Sequence, residues 1–235
     1  MVTATFRFHD ELNDFLPARR RFQPLEVSCA RAASTKHMVE ALGVPHTEVG
    51  MVLVNGANAG MARPVAQGDL VDVFPGATEP SGPALFVADA HLGGLARLLC
   101  MAGFDTLYDN NFNDAEIAAI SASQGRIVLT RDRDLLIRKE ILYGCYVRAL
   151  KAEEQLRQVL LRYRLALQAR PFSLCLHCNV ALCTVDRSEV EGGLPAQVRA
   201  LHHEFSRCEC CGRVYWKGSH WRRMDALLRR LLAPD

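Results

Sequence analysis

The chain lacks any run of about 18 apolar residues, so a membrane-spanning helix is not expected. Its first residues, MVTATFRFHDEL, lack the apolar core of a secretory leader, and a cytoplasmic location is expected. Excess charge is also scarce: 28 Lys and Arg stand against 26 Asp and Glu, a net of +2. A disulfide framework is not indicated either. Nine cysteines is an odd number, and in a cytosolic chain they argue for free thiols or metal ligands.

What is present is the composition of a folded protein, 49% hydrophobic and 23% charged. A length of 235 residues suggests two or three domains. The charge is unevenly spread. Residues 1–80 carry seven basic and nine acidic side chains, whereas residues 205–235 carry seven basic and three acidic ones. A basic end suits an anionic partner such as RNA, although a solvated helix face gives the same pattern.

Three segments emerge. In the first, residues 1–80, Thr3–Phe8 alternates as a strand and Leu25–Cys29 is a possible partner. Ser34 caps a helix over Thr35–Leu42, which Gly43 ends. Met51–Val54 is a strand, Asn55-Gly56 a tight turn and Leu70–Phe74 a final strand. Strands around one helix in this order predict a β-grasp. The second segment, 84–170, repeats a strand–helix rhythm that predicts a parallel sheet. Its strands are Leu85–Ala88, Asp105–Tyr108, Arg126–Leu129 and Tyr146–Leu150. Its helices are His91–Gly103, Asp114–Gln124, Asp132–Glu140 and Ala152–Leu167. The third, 171–235, carries paired cysteines and a basic helix over Arg222–Leu232.

Cys175-x-x-Cys178 and Cys208-x-x-Cys211 have the spacing of two metal knuckles. Two knuckles complete the tetrahedron that zinc accepts and leave no position for water, which makes the site structural. Its binding energy is expected to hold a module with little core. Gly212 frees the second turn. Cys183, Cys210 and His177 are neighbours expected to lie outside the ligand set, and Cys29, Cys100 and Cys145 are isolated thiols.

In a parallel α/β sheet, ligands bind beyond the carboxyl ends of the strands. Asp89, Asp109, Asp132 and Asp134 follow strands there, and Asp114 and Glu116 open a helix. Gathered carboxylates repel unless a cation neutralises them, and Mg²⁺ or Mn²⁺ suits such a set. Such an ion would support phosphodiester cleavage. Each acid also fits a structural role: Asp132 and Asp114 at helix starts, Glu116 in a capping box with Asn113, and Asp109 in a turn. Taken together, Asp89, Asp114 and Asp132 favour a metal site, with Asp134 as a further candidate.

Arg97, Arg131 and Arg133 lie near this acidic edge, where arginine grips phosphate. Thr130 is placed to orient a carboxylate or a water. The ending RVYWKGSHWRRM interleaves Tyr215, Trp216 and Trp221 with Arg213, Lys217, Arg222 and Arg223. This pattern suits base stacking with phosphate neutralisation, or else packing of the ribbon.

Two resemblances follow from these motifs. SxKHxxEALGVPHTEVGxxLVNG is similar to ubiquitin-like sulfur carriers, which act through a free terminal Gly-Gly. Here FPGATEP is followed by more chain, so an interaction or RNA-positioning module is expected, with a protein partner possible. FVADAHLGGLARLLCMAGFDTLYDNN, DAEI, GRIVLTRDRDLL and the CxxC…CxxCGRVYWKGSHWRRM ending together resemble the Mut-seven C-terminal RNase domain family, a branch of PIN-like nucleases with a zinc ribbon. Members can carry a preceding ubiquitin-like domain. The resemblance implies metal-dependent RNA cleavage with Asp89, Asp114 and Asp132 as acidic positions. The alternative reading is a non-catalytic RNA-binding adaptor built on the basic ribbon.

Overall fold

The computed structural model describes residues 1–233; Pro234 and Asp235, the end of the third segment, lie outside the described residues. In chain order the first elements are β1 (Val2–Phe8), β2 (Leu25–Cys29), α1 (Thr35–Ala41), β3 (Val49–Val54), β4 (Ala57–Ala59) and β5 (Leu70–Pro75). There follow β6 (Phe86–Ala88), α2 (Gly93–Met101), β7 (Thr106–Tyr108), α3 (Asp114–Gln124), β8 (Ile127–Thr130), α4 (Arg133–Leu136), β9 (Gly144–Tyr146) and α5 (Ala152–Arg162). The last are β10 (Leu182–Val185), α6 (Arg187–Val190), α7 (Ala196–Leu201), β11 (Phe205–Cys208), β12 (Val214–Trp216) and α8 (Ser219–Leu232). None of these helices is long and apolar enough to cross a membrane.

The chain forms two compact units. The first joins residues 1–83 to 111–148, and the second joins 84–110 to 149–235.

In the first unit, β1 to β5 form a five-stranded sheet in the order β2-β1-β5-β3-β4. The central pair, β1 and β5, is parallel, and the flanking pairs are antiparallel. This is the expected β-grasp. Alternation along β1 buries Ala4, Phe6 and Phe8, which meet Met38 and Val39 of α1 in one core. The Ser34 hydroxyl accepts from the His37 amide and starts α1. Gly43, at φ 97°, ends it in the left-handed region that only glycine enters at low cost. Asn55 and Gly56 turn β3 into β4 with φ of 54° and 80°. Short 3₁₀ turns at Asp10–Phe15, Ala18–Arg20 and His46–Glu48 were not legible in the residue pattern.

Residues 111–148 fold against this domain. Asn113 and Glu116 form the expected capping box of α3, and Gly125 closes the helix at φ 65°. β8 pairs in parallel with β9. Two expectations change here. The helix expected over Asp132–Glu140 stops at Leu136, because Ile141 turns inward, is fully buried and offers its carbonyl to His46 Nε2 at 2.8 Å. The strand expected over Tyr146–Leu150 is instead Gly144–Tyr146. Beyond it Leu150 is exposed, and Gln155 takes the carbonyls of Ala149 and Leu150.

In the second unit, β6 and β7 pair in parallel and α2 packs against α5. Phe86 lies edge-on to Phe104 and Tyr163 at centroid distances of 6.3 Å. The helix expected over Ala152–Leu167 ends at Arg162. Arg164 takes φ 53°, and the Leu165 amide closes back onto Leu160 so that Leu165 enters the core. The third segment is a three-stranded antiparallel ribbon, β10-β11-β12, with its own cluster of Val190, Leu194 and Phe205. α8 buries Leu228 and Leu231 and lies against α5.

Candidate functional site

The four expected cysteines come together. The ligand atoms of Cys175, Cys178, Cys208 and Cys211 all lie within 4.8 Å of one another. Local backbone chemistry builds this arrangement twice. The Cys175 amide donates to Val180 O at 2.8 Å, and the Asn179 amide returns to Cys175 O at 2.8 Å. In the second turn, the Cys208 amide donates to Arg213 O at 2.9 Å and the Gly212 amide returns to Cys208 O at 2.8 Å. The residue after each pair is left-handed, Asn179 at φ 55° and Gly212 at φ 70°. Asparagine tolerates this region better than other residues with a Cβ. Its side chain also receives the Thr106 amide and donates to Asp105, which ties the knuckle to β7.

The donor set fits a soft, tetrahedral ion. Cys175 and Cys211 sulfurs lie 3.8 Å apart, close to the edge of about 3.8 Å that a tetrahedron of Zn–S bonds of about 2.3 Å requires. Burial pushes the Cys175 thiol up, but hydrogen bonds from Tyr215, the Cys178 amide and neighbouring thiols outweigh it and hold it at about 7. The Tyr215 hydroxyl sits 3.1 Å from Cys175 Sγ, so this ring supports one thiol of the tetrad. The other two aromatics are packed as well: Trp216 on the Phe205 cluster and Trp221 against Phe172 at 5.0 Å. Cys183, Cys210 and His177 are exposed and outside the tetrad, while Cys29, Cys100 and Cys145 are buried thiols. Burial raises the Cys100 thiol to about 12, which suits an inert core residue.

The acids are arranged differently. Asp89 follows β6 and caps the 3₁₀ turn Ala90–Leu92, with Oδ1 accepting from the Ala90 amide at 2.6 Å. Tyr108 buttresses that turn through its hydroxyl, which donates to Ala90 O at 2.9 Å. Gly93 makes room for the phenol, since a Cβ there would meet Tyr108 Oη at 2.5 Å. This explains one glycine of the HLGGL motif and adds Tyr108, which the sequence pattern did not single out.

In the first unit, Asp132 follows β8 and caps α4, with Oδ1 accepting from the Asp134 amide at 2.8 Å. Thr130 is fully buried, and its hydroxyl accepts from the Asp132 amide at 2.9 Å, so it orients the turn. Asp134 is 75% exposed and pairs with Arg133 at 2.8 Å. Asp114 is exposed at the start of α3, and Glu116 is engaged in its capping box. Among the described residues, only the cysteine tetrad forms a group of three or more His, Cys, Asp or Glu at metal-ligand spacing. Asp114, Asp132 and Asp134 do not form one. Asp132 remains exposed, and its hard carboxylate oxygens suit Mg²⁺ or Mn²⁺.

A cleft of about 280 Å³ borders Asp132, lined by Asp14, Phe15, Asp132, Arg133, Asp134 and Tyr146. Arg97 on α2, Arg131 and Arg213 in turns, and Arg222 on α8 are all exposed. Lys217 pairs with Glu204 at 2.6 Å and stands 6.0 Å from the Trp221 ring. In the β-grasp domain, Gly76 lies just past the end of β5, against the residues that open β3. Its amide donates to Glu48 O, and a Cβ on it would come 2.5 Å from Gly50 Cα.

Fold and tetrad together define a β-grasp domain joined to parallel strand–helix units and a four-thiol ribbon. The Mut7-C RNAse domain matches residues 84–228, and the Mut7-C ubiquitin domain matches residues 1–80. The chain therefore belongs to the Mut7-C RNAse domain family. Among solved structures, a putative molybdopterin converting factor subunit 1 from Pyrococcus furiosus is similar at 16% identity and TM-score 0.26, over 32% of this chain and 98% of that one. Two structures of small archaeal modifier protein 1 from Haloferax volcanii are similar at 20% and 21% identity, with TM-scores of 0.26 and 0.25. They cover 32% and 34% of this chain and 98% of their own. No curated protein sequence matches the chain.

Proposed function

We propose that this protein is a metal-dependent ribonuclease of PIN-like architecture, with a structural zinc ribbon and a cytoplasmic site of action. The observation that carries the reading is the RNAse-domain match over residues 84–228. Asp89 and Asp132, each just beyond the carboxyl end of a parallel strand, support it.

Asp89, Asp114 and Asp132 would hold Mg²⁺ or Mn²⁺, with Asp134 as a further carboxylate. A bound divalent cation would lower the pKa of a water and polarise a phosphoryl oxygen. The chain's own residues do the rest. Thr130 and the Asp134 amide fix the Asp132 turn, leaving the carboxylate facing solvent. Arg97, Arg131 and Arg133 would hold phosphate oxygens, and Arg213, Lys217 and Arg222 would extend the contact along the RNA.

Zinc in the tetrad would be structural, since four thiolates leave no open position. The ribbon's cluster of Val190, Leu194 and Phe205 contributes about 2 kcal/mol per side chain, little against the entropy of ordering some 60 residues. Metal binding would supply the difference.

The test is a nuclease assay on a mixed RNA pool with added Mg²⁺ or Mn²⁺, comparing the parent with Asp132→Asn and Asp89→Asn. Metal-dependent products from the parent and their loss from both variants are expected. Equal cleavage by parent and variants would overturn the assignment.

A further inference from the structure

We infer that the His46–Glu48 segment of the β-grasp domain is a brace that positions the Asp132 turn, and that Glu48 is its principal positioning residue. The inference rests on the ribonuclease reading and gives the N-terminal domain a part in it.

The segment belongs to the PHTEVG motif, and its three side chains meet residues 141–146 one after another. His46 Nε2 donates to Ile141 O at 2.8 Å. Thr47 lies against Gly144, where an added Cβ would come within 3.3 Å of the Thr47 side chain. Glu48 Oε1 accepts from the Tyr146 amide at 2.8 Å. The Glu48 carboxylate is 1% exposed, and its other oxygen takes Arg148 at 3.1 Å. Burying a carboxylate is costly unless it is fully partnered, and these partners lie on residues 146–148. Arg148 is fixed in turn by Asp14 at 3.3 Å and by the rings of Phe15 and Tyr146 at 5.2 and 5.5 Å.

From Tyr146 the path to Asp132 is short. Tyr146 stands opposite Thr130 in the β8–β9 ladder, and the Val147 amide donates to Thr130 O at 2.8 Å. The Thr130 hydroxyl accepts from the Asp132 amide, and Asp132 accepts from the Asp134 amide. Two buried anchors, Glu48 and Thr130, thus flank β9, and every step between them is a hydrogen bond or a strand pair. A displacement of about 1 Å at a reacting group can cost about 100-fold in rate, so a brace at this distance has functional leverage.

The experiment compares Glu48→Ala, Glu48→Gln and Gly144→Ala with the parent by RNA cleavage kinetics and amide hydrogen exchange. Glutamine keeps an oxygen for the Tyr146 amide; alanine does not. Glu48→Ala is expected to lower kcat about tenfold or more with KM within about twofold, and Glu48→Gln to recover most of the loss. Exchange at Tyr146, Asp132 and Asp134 should quicken in Glu48→Ala and stay near the parent in Glu48→Gln. An unchanged kcat in Glu48→Ala, or a loss of kcat without faster exchange at Asp132 and Asp134, would overturn the brace. If Glu48→Ala does not fold, Gly144→Ala decides, because its Cβ would push β9 from Thr47 and Leu136. It should lower kcat, and parent-like kcat would overturn the inference. If the parent cleaves no RNA, the ribonuclease reading fails and the brace is judged by exchange alone. Faster exchange at Asp132 in Glu48→Ala or Gly144→Ala supports it, and parent-like exchange in both overturns it.

Discussion

The cysteine tetrad and the acidic strand ends both offer metal-binding side chains, yet they are built on different principles. Each pair of thiols is delivered by one short turn, with the same two backbone hydrogen bonds and a left-handed residue closing it. Two such turns suffice for a closed site. Asp89, Asp114 and Asp132 instead stand at the starts of three separate helical segments, and Asp89 and Asp132 each give one oxygen to a helix amide. A helix start serves two purposes at once: the carboxylate satisfies orphan amides and remains at the strand's end, where a ligand can reach it. The closed tetrad is therefore fixed by local turns, while the proposed open site would borrow residues that already stabilise the fold.

The largest expected effect breaks the closed site. Cys208→Ser replaces a buried ligand, and structural zinc sites of this kind carry binding free energies of about 10 kcal/mol. Loss of stoichiometric zinc and of ordered ribbon signals in NMR spectra is expected; a zinc-loaded, ordered ribbon would show that three thiols suffice. Next is the open site. Asp132→Asn removes charge but keeps a cap, since asparagine serves at this position as well as aspartate. Cleavage is expected to fall about 100-fold or more, with unfolding free energy moving by less than about 0.5 kcal/mol. A large stability loss with retained cleavage would make Asp132 a structural cap alone.

Tyr215→Phe probes the support of the closed site. Removing the hydroxyl beside Cys175 is expected to weaken zinc about tenfold, read by competition with a chelator. Unchanged affinity would leave the ring a packing role only. The smallest effect lies away from both sites and shows what a purely structural carboxylate does. Arg63, bonded at 2.6 Å, holds the Asp69 carboxyl below its ordinary value. Its stabilisation is complete above the unfolded carboxylate pKa of about 3.9 and is lost as pH falls through the lower folded value. Asp69→Asn should therefore flatten the acid limb of the stability curve while leaving zinc content and cleavage unchanged. An acid limb identical to the parent's would remove Asp69 from the titrating set.

Much of this was legible in the residues. Cys-x-x-Cys spacing fixes two thiols on one turn whatever surrounds them, Asn113 with Glu116 encodes a helix start, and Asn55-Gly56 encodes a hairpin. Asn179 was missed because an asparagine in the left-handed region carries less signal than a glycine. The place of Tyr215 beside Cys175 and the role of Tyr108 were missed because their partners are distant in sequence.

The sequence by itself determined the elements that depend on neighbours: caps, knuckles, alternating strands and the order of strand and helix. Tertiary structure alone decided that α4 and α5 stop early and that β9 is shifted, that Ile141 turns inward to His46, and that residues 111–148 pack with the β-grasp domain. The physical reason is range. Capping and turn chemistry act over three to five residues, whereas the burial of Glu48 against Tyr146 and Arg148 joins positions about a hundred residues apart.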